Sequence, residues 1–210
     1  MTDPFADALA SLDDLVERYP AAKDRAWTKD IGSLDAAARA LIAASPLVVV
    51  ASHDEDGRAD ATPRGGPPGF VTVLDDGFLA IPDATGNNRL DTLRNVVVTG
   101  YVGLLFLIPG RDQTLRVNGR ARVTEAPHVL SRVGAVGKSP RTAIVVAADE
   151  VYAHCPKALI RSKLWDPEAW PSLDAVPTAA EVMHAHGRDP SVSVAEVQEY
   201  LDEAIRTRLA

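Results

Sequence analysis

The chain has 210 residues, 46% hydrophobic and 24% charged, a globular composition with enough length to bury a core. Its formal net charge of −7 argues against general nucleic-acid binding, and no apolar run is long enough for a membrane-spanning helix. A single cysteine, Cys155, excludes an internal disulfide framework, and without paired histidines at ligand spacing no metal site is expected.

Residues 4 to 18 predict a first helix, with Phe5, Leu9, Leu12, Leu15 and Val16 at helical spacing and Pro20 as its stop. The segment Met1 to Leu12 carries Asp3 and Asp7 and no basic cluster, unlike a secretory signal, so a cytoplasmic protein is expected. A second helix is predicted over 34 to 44, capped by Ser33 and followed by Pro46. "PLVVVASHD" then reads as a buried strand, and "EDG" as a turn into "RADATP". "GFVTVLDDGFLAIP" reads as a hairpin turning at Asp76-Gly77. A helix over 87 to 95 follows, and "VVVTGYVGLLFLIPG" reads as a long apolar strand region bent by its glycines.

"QTLRVNGRARVTE" alternates: Leu115, Val117, Ala121 and Val123 share one face, and Arg116, Asn118, Arg120 and Arg122 the other. "RTAIVVAADEVYAHC" is predicted as one further strand, with Asp149 and Glu150 at a solvated edge. Helices are predicted over 156 to 164, 178 to 186 and 194 to 209, the last with Val194, Val197, Leu201, Ile205 and Leu209 as its stripe. Strands without regular crossover helices disfavour a doubly wound parallel fold. The pattern predicts a mainly β, closed or partly closed antiparallel barrel with added helices.

Three sets of residues stand out chemically. In "TPRGGPPGF", Arg64 meets Gly65 and Gly66, which expose peptide N–H groups and admit a flat ligand, while Pro67 and Pro68 stiffen the return. In Gly86-Asn87-Asn88-Arg89, a helix start offers N–H groups to an anion, Asn87 or Asn88 adds donors, and Arg89 adds a guanidinium. A cation in a first helical turn is unfavourable unless an anion accompanies it. The third is Arg116, whose alternating charged row is ordinarily a solvated face and gains meaning only beside the other two. His53 reads as a turn residue, Cys155 as structural, and Trp27, Trp165 and Trp170 as packing residues. No acid or base stands out as catalytic.

"TPRGGPPGFVTVLDDGFLAIPDATGNNRLDTLRN", "VGLLFLIPG", "TLRVNGRARV" and "AHCPKALIRSKLW" together resemble the pyridoxamine 5′-phosphate oxidase-like family of flavin-binding split barrels. They resemble an uncharacterised FMN-dependent branch more than the vitamin B6 oxidase, whose C-terminal Arg-x-His motif is missing. The resemblance implies a six-stranded antiparallel split β-barrel over 35–165, flanked by helical extensions over 1–34 and 166–210. It also implies a homodimer with FMN at the interface, and flavin-mediated hydride or electron transfer with a small organic substrate, NAD(P)H being a candidate donor. Carried over by position, Arg64 and Gly65 contact the flavin, Asn87, Asn88 and Arg89 bind its phosphate, and Thr114 and Arg116 approach the ring. Lys157, in the segment to Trp165, completes the pocket from either subunit. Neither nucleic acid nor membrane is an expected partner. Related barrels bind F420 or haem, and a non-catalytic flavin-binding module is a further alternative.

Overall fold

The computed structural model describes residues 3–84, 86, 88–187 and 189–208. It divides into two compact units, Met1–Asp30 and Ile31–Ala210. In the first, α1 spans Leu12–Arg18 rather than 4 to 18. A capping box sets its start: the Asp14 N–H donates to Ser11 Oγ (3.1 Å) and the Ser11 N–H to Asp14 Oδ2 (2.9 Å). Upstream, the Phe5 N–H donates to Asp3 Oδ1 (2.9 Å), which turns the chain instead of extending the helix.

The second unit begins with α2, Ala36–Ala44, capped by Asp35 rather than Ser33: Asp35 Oδ1 accepts from the Ala38 N–H at 2.7 Å. Then come β1 (Leu47–His53), β2 (Ala59–Gly65), β3 (Thr72–Val73), β4 (Phe78–Pro82), α3 (Asp91–Thr99), β5 (Tyr101–Leu107) and β6 (Thr114–Thr124). A short α4 (Pro127–Leu130) leads to β7 (Ala143–Ala147), β8 (Glu150–His154) and α5 (Lys157–Ser162). Finally α6 (Ala179–Gly187) packs against α7 (Val194–Arg208). Thr178 with Glu181 and Ser193 with Glu196 form the boxes that start these two helices. Val194 and Ile205 of the predicted α7 stripe remain exposed, and Leu209 lies outside the described residues.

The eight strands form one antiparallel sheet in the order β2-β1-β5-β6-β7-β4-β3, with β8 added to β6. This is the split-barrel architecture. The chain 141 to 155, read as one strand, is two, because β6 has two partners along one edge. Thr114 to Asn118 pair with β8, and Ala121 to Thr124 pair with β7. Between these stretches lies Gly119, where a Cβ would stand 1.8 Å from the Ala147 carbonyl oxygen, so only glycine lets the strands divide there. Arg120 then clamps the β7–β8 turn. Its Nε and Nη2 donate to the two Asp149 oxygens (3.0 and 2.9 Å), and its backbone N–H donates to Oδ2 (3.0 Å). Asn118 Nδ2 donates to Glu150 Oε2 (2.7 Å), so the edge is exposed, as predicted, and hydrogen-bonded as well.

Val48, Val50, Leu104, Phe106, Leu115, Val117 and Val151 build the core on one face of the sheet. The predicted helix 87–95 is shifted by four residues, and Val96 to Thr99, read as strand, are its last turn. Burial of Val96 at the core outweighs the strand preference of a valine run, although Val97 and Val98 are exposed. Gly100 (φ +74°) closes the helix rather than bending a strand.

Gly119→Ala is expected to lower stability by about 3 kcal/mol or more, since backbone on both sides must move; urea denaturation measures it. Hydrogen bonds from Arg120 hold the Asp149 carboxyl below its ordinary 3.8. A depressed folded-state value stabilises above the unfolded one and is lost as pH falls through it. Wild type should therefore exceed Asp149→Asn in stability at neutral pH, with the gap closing below 3.8. Both side chains are more than a third exposed, so the gap will be small.

Candidate functional site

Alternation along β2 puts Asp60, Thr62 and Arg64 on the half-buried face, opposite Ser52, Val50 and Val48 of β1. Helix α3 lies over this row. Its Thr92 hydroxyl donates to Asp60 Oδ2 (3.0 Å), Ser52 Oγ reaches the same oxygen (3.5 Å), and Asn95 Nδ2 donates to Ser52 Oγ (3.0 Å). Ser52, Thr92 and Asn95 are buried. A buried polar group is tolerated only when hydrogen-bonded, so this chain fixes where α3 sits. None of the four residues carried a signal in the sequence, because the two links from α3 to the sheet join residues 32 and 43 positions apart.

Where the start of α3 meets β2, a cleft of about 200 Å³ opens. Asp60, Thr62 and Arg64 line it from β2, Asp83, Ala84, Gly86, Asn88 and Arg89 from the connecting corner, and Leu90 to Leu93 from the helix start. Thus Arg64, Asn88 and Arg89, far apart in sequence, do meet. The corner differs from the predicted helix start. Asn88 (φ +59°) and Leu90 (φ +61°) are left-handed, and the helix begins only at Asp91. Asparagine tolerates left-handed backbone, but leucine is strained there, and such strain concentrates at ligand sites. Leu90 provides no side-chain cap, so the first N–H groups of α3 are left for another acceptor. Arg89 lies outside the helix, 78% exposed, and pairs with the Asp91 carboxylate, which removes the helix-dipole argument made for it. Asn87 lies outside the described residues.

Arg64 is different. It is half-buried and, among the described residues, its guanidinium has neither hydrogen bond nor ion pair. Gly65 ends β2 as an exposed residue, where a Cβ would meet the Pro46 carbonyl oxygen at an ordinary 3.5 Å. At Gly66 a Cβ would stand 2.8 Å from Phe70 Cβ, so that glycine serves packing rather than ligand approach.

Thr114, Arg116 and Lys157 belong to another surface. Two strands, β1 and β5, separate β6 from β2 along the sheet, and register places Arg116 beside Leu105 and Tyr152 on the face away from the core. Arg116 Nη1 donates to the Tyr152 hydroxyl (3.0 Å), and its guanidinium lies 5.6 Å from the Tyr152 ring centroid. Thr114 is buried opposite His154, and Lys157 is exposed at the start of α5. The Trp165 indole donates to the Arg111 carbonyl (2.9 Å), tying the end of this segment to the β5–β6 connection. Trp27 and Trp170 are exposed rather than packed. Within one chain, the two groups of predicted site residues therefore face opposite sides of the sheet.

A second cleft, missed in the sequence, lies across the corner from the first. Asp83, Ala84, Gly86 and Asn88 line both, and Lys138, Ser139 and Arg141 complete the second. Among the described residues, no group of three His, Cys, Asp or Glu is placed to hold a metal ion, and no helix is long and apolar enough to cross a membrane.

The pyridoxamine 5′-phosphate oxidase family profile matches residues 34–155, more than half of the chain, and the chain belongs to that family. No curated protein matches it. Among solved structures, a variant of HupZ from Group A Streptococcus is similar at 18% identity and a TM-score of 0.46, covering 58% of this chain and 99% of that one. A candidate pyridoxamine 5′-phosphate oxidase from Lactobacillus delbrueckii is similar at 23% identity and 0.45, covering 59% and 98%. A conserved hypothetical protein from Mycobacterium tuberculosis is similar at 15% identity and 0.45, covering 69% and 92%.

Proposed function

We propose that the chain is an FMN-dependent oxidoreductase acting as a homodimer. The observation that carries this reading is the half-buried, unpartnered Arg64 guanidinium in the cleft beside Asn88 and the uncapped start of α3. A guanidinium kept partly from water without a carboxylate is costly unless a ligand anion completes it. Backbone N–H groups at the helix start add donors suited to a phosphate. These groups fit the phosphate end of a flavin mononucleotide. Bound flavin supplies hydride and electron transfer, and the chain's own residues anchor and orient it.

The dimer rests on the outer face of β2-β1-β5-β6-β8. Pro63, Val49, Leu105, Arg116 and Tyr152 stand in one row across it, and Leu47 and Leu107 in the next. A sheet face this apolar is ordinarily covered. A second copy seated there gives Thr114, Arg116 and Lys157 a role in the site that they do not have within one chain.

The purified protein should show a flavin absorbance spectrum and release FMN on heating. Arg64→Ala should weaken FMN binding by about 1.5–3 kcal/mol, the scale of a charge-assisted hydrogen bond, with riboflavin affinity unchanged. Equal affinity of wild type for FMN and riboflavin would remove the phosphate assignment, and a deazaflavin or haem spectrum would replace the cofactor. In sedimentation the wild type should run as a dimer and Leu105→Lys as a monomer. A monomeric wild type would leave the site to one chain.

A further inference from the structure

We propose that Asp60 is a specificity residue of the first cleft, accepting a ligand O–H beside the anion that Arg64 holds. This rests on the flavin reading of that cleft for the anion, and on separate observations for the O–H. On charge alone a carboxylate does not belong in an anion cleft, since it repels what the arginine attracts. Three carboxylates line this one, from Asp60, Asp83 and Asp91. Asp91 is neutralised by Arg89. The Asp83 side chain has no hydrogen bond or ion pair among the described residues to fix where it points. Asp60 is both unneutralised and held in place.

The way it is held decides which acceptor is left over. Oδ2 takes the Thr92 hydroxyl (3.0 Å), with Ser52 Oγ at 3.5 Å, and this pins the carboxylate to α3. The other oxygen, Oδ1, has no hydrogen bond among the described residues, and the residue is half-buried where it lines the cleft. An ionised carboxylate only accepts, so whatever completes it must bring a hydrogen. Once a ligand displaces water from the cleft, Oδ1 keeps a partner only if the ligand supplies one. A ligand that offers lone pairs alone at that point is rejected. Register gives the layout. Asp60, Thr62 and Arg64 share one face of β2, and at about 3.3 Å per residue Asp60 and Arg64 stand about 13 Å apart along it, with Thr62 between. A ligand with an anion at one end and hydroxyls along its length matches that row. The O–H belongs either to such a polyol chain or to the protonated anion itself.

The test turns on a sign. In Asp60→Asn the Thr92 hydroxyl still finds an acceptor in the amide oxygen, so the amide NH2 takes the place of Oδ1 and cannot accept. On charge alone the variant should bind an anion more tightly than wild type. If Oδ1 accepts a ligand O–H, the variant binds FMN about tenfold or more weakly. FMN and riboflavin affinities are measured by flavin fluorescence, beside Ser52→Ala, which loosens the same network from outside the cleft. Loss of both flavins in Asp60→Asn places the O–H on the polyol chain, and loss of FMN alone places it on the phosphate. Equal or tighter FMN binding by Asp60→Asn overturns the proposal. So does an equal loss in Ser52→Ala, which would make Asp60 a support for α3 and nothing more. The flavin-free wild type gives a second reading by titration calorimetry. It should prefer ribitol 5-phosphate to pentyl phosphate if the O–H is on the polyol, or inorganic phosphate to sulfate if it is on the anion. No preference within either pair overturns the proposal even where Asp60→Asn fails to fold. A wild type that takes no flavin defeats the flavin reading alone, because the four anions still read the O–H.

Discussion

The close approach of Gly119 to the Ala147 carbonyl is the constraint on which the rest of the second unit is arranged. Because β6 can pass that oxygen, it serves β8 along its first half and β7 along its second, and one strand belongs to both parts of the barrel. Carrying β7 away from β8 lets β4 pair with it over Phe78 to Pro82, with Pro82 opposite Ala143. The chain leaving β4 and the chain entering β7 then run side by side. One becomes the Asp83–Asn88 corner and the other the Lys138–Arg141 loop. The second cleft is therefore a consequence of strand register. A side chain at position 119 would disturb it without touching it.

The first cleft depends on the docking of α3. Its amphipathic face is short, and Thr92 and Asn95 supply the geometric precision that apolar packing of Val96 alone lacks, by bonding into Ser52 and Asp60. Hydrogen bonds are directional where hydrophobic burial is not, so the network sets the rotation of the helix on the sheet. With that rotation fixed and Pro82 held by β7, the connecting residues have little freedom. The left-handed Asn88 and Leu90 are the backbone's means of joining the two anchors. The strain comes with an uncapped helix start directed at β2, where Arg64 waits.

Strands β1 and β2, the β3–β4 hairpin and the inward and outward faces of β6 were legible because a period of two is written into the residues themselves. The start of α3 was not. A glycine and two asparagines advertise a helix start, yet the cap fell on Leu90, a residue no propensity would choose, because tertiary anchors decided the backbone. The break between β7 and β8 was hidden for a related reason: "IVVAADEVYA" is apolar enough to run on, and only the partner change on β6 divides it. Arg64 and the corner, which the fold brings to one cleft, drew notice because glycines and a guanidinium at a junction are unusual. Lys138 and Arg141 were missed because nothing local distinguishes them from loop cations. Only the Pro82 to Ala143 register brings them to the corner.

Electrostatics sharpens what this site selects. The chain carries a net −7, so at long range it repels the anions proposed as its ligands. At physiological ionic strength that repulsion is screened beyond about 8 Å, which leaves recognition to groups inside the clefts. There the balance is local. Arg89 is already committed to Asp91, whereas Arg64, Lys138 and Arg141 have no carboxylate partner among the described residues. An anion bound there would gain most where Arg64 is already half-removed from water, since the solvent competing for that guanidinium has been partly excluded before binding. Local desolvation, rather than net charge, is what would let an acidic protein bind an anion.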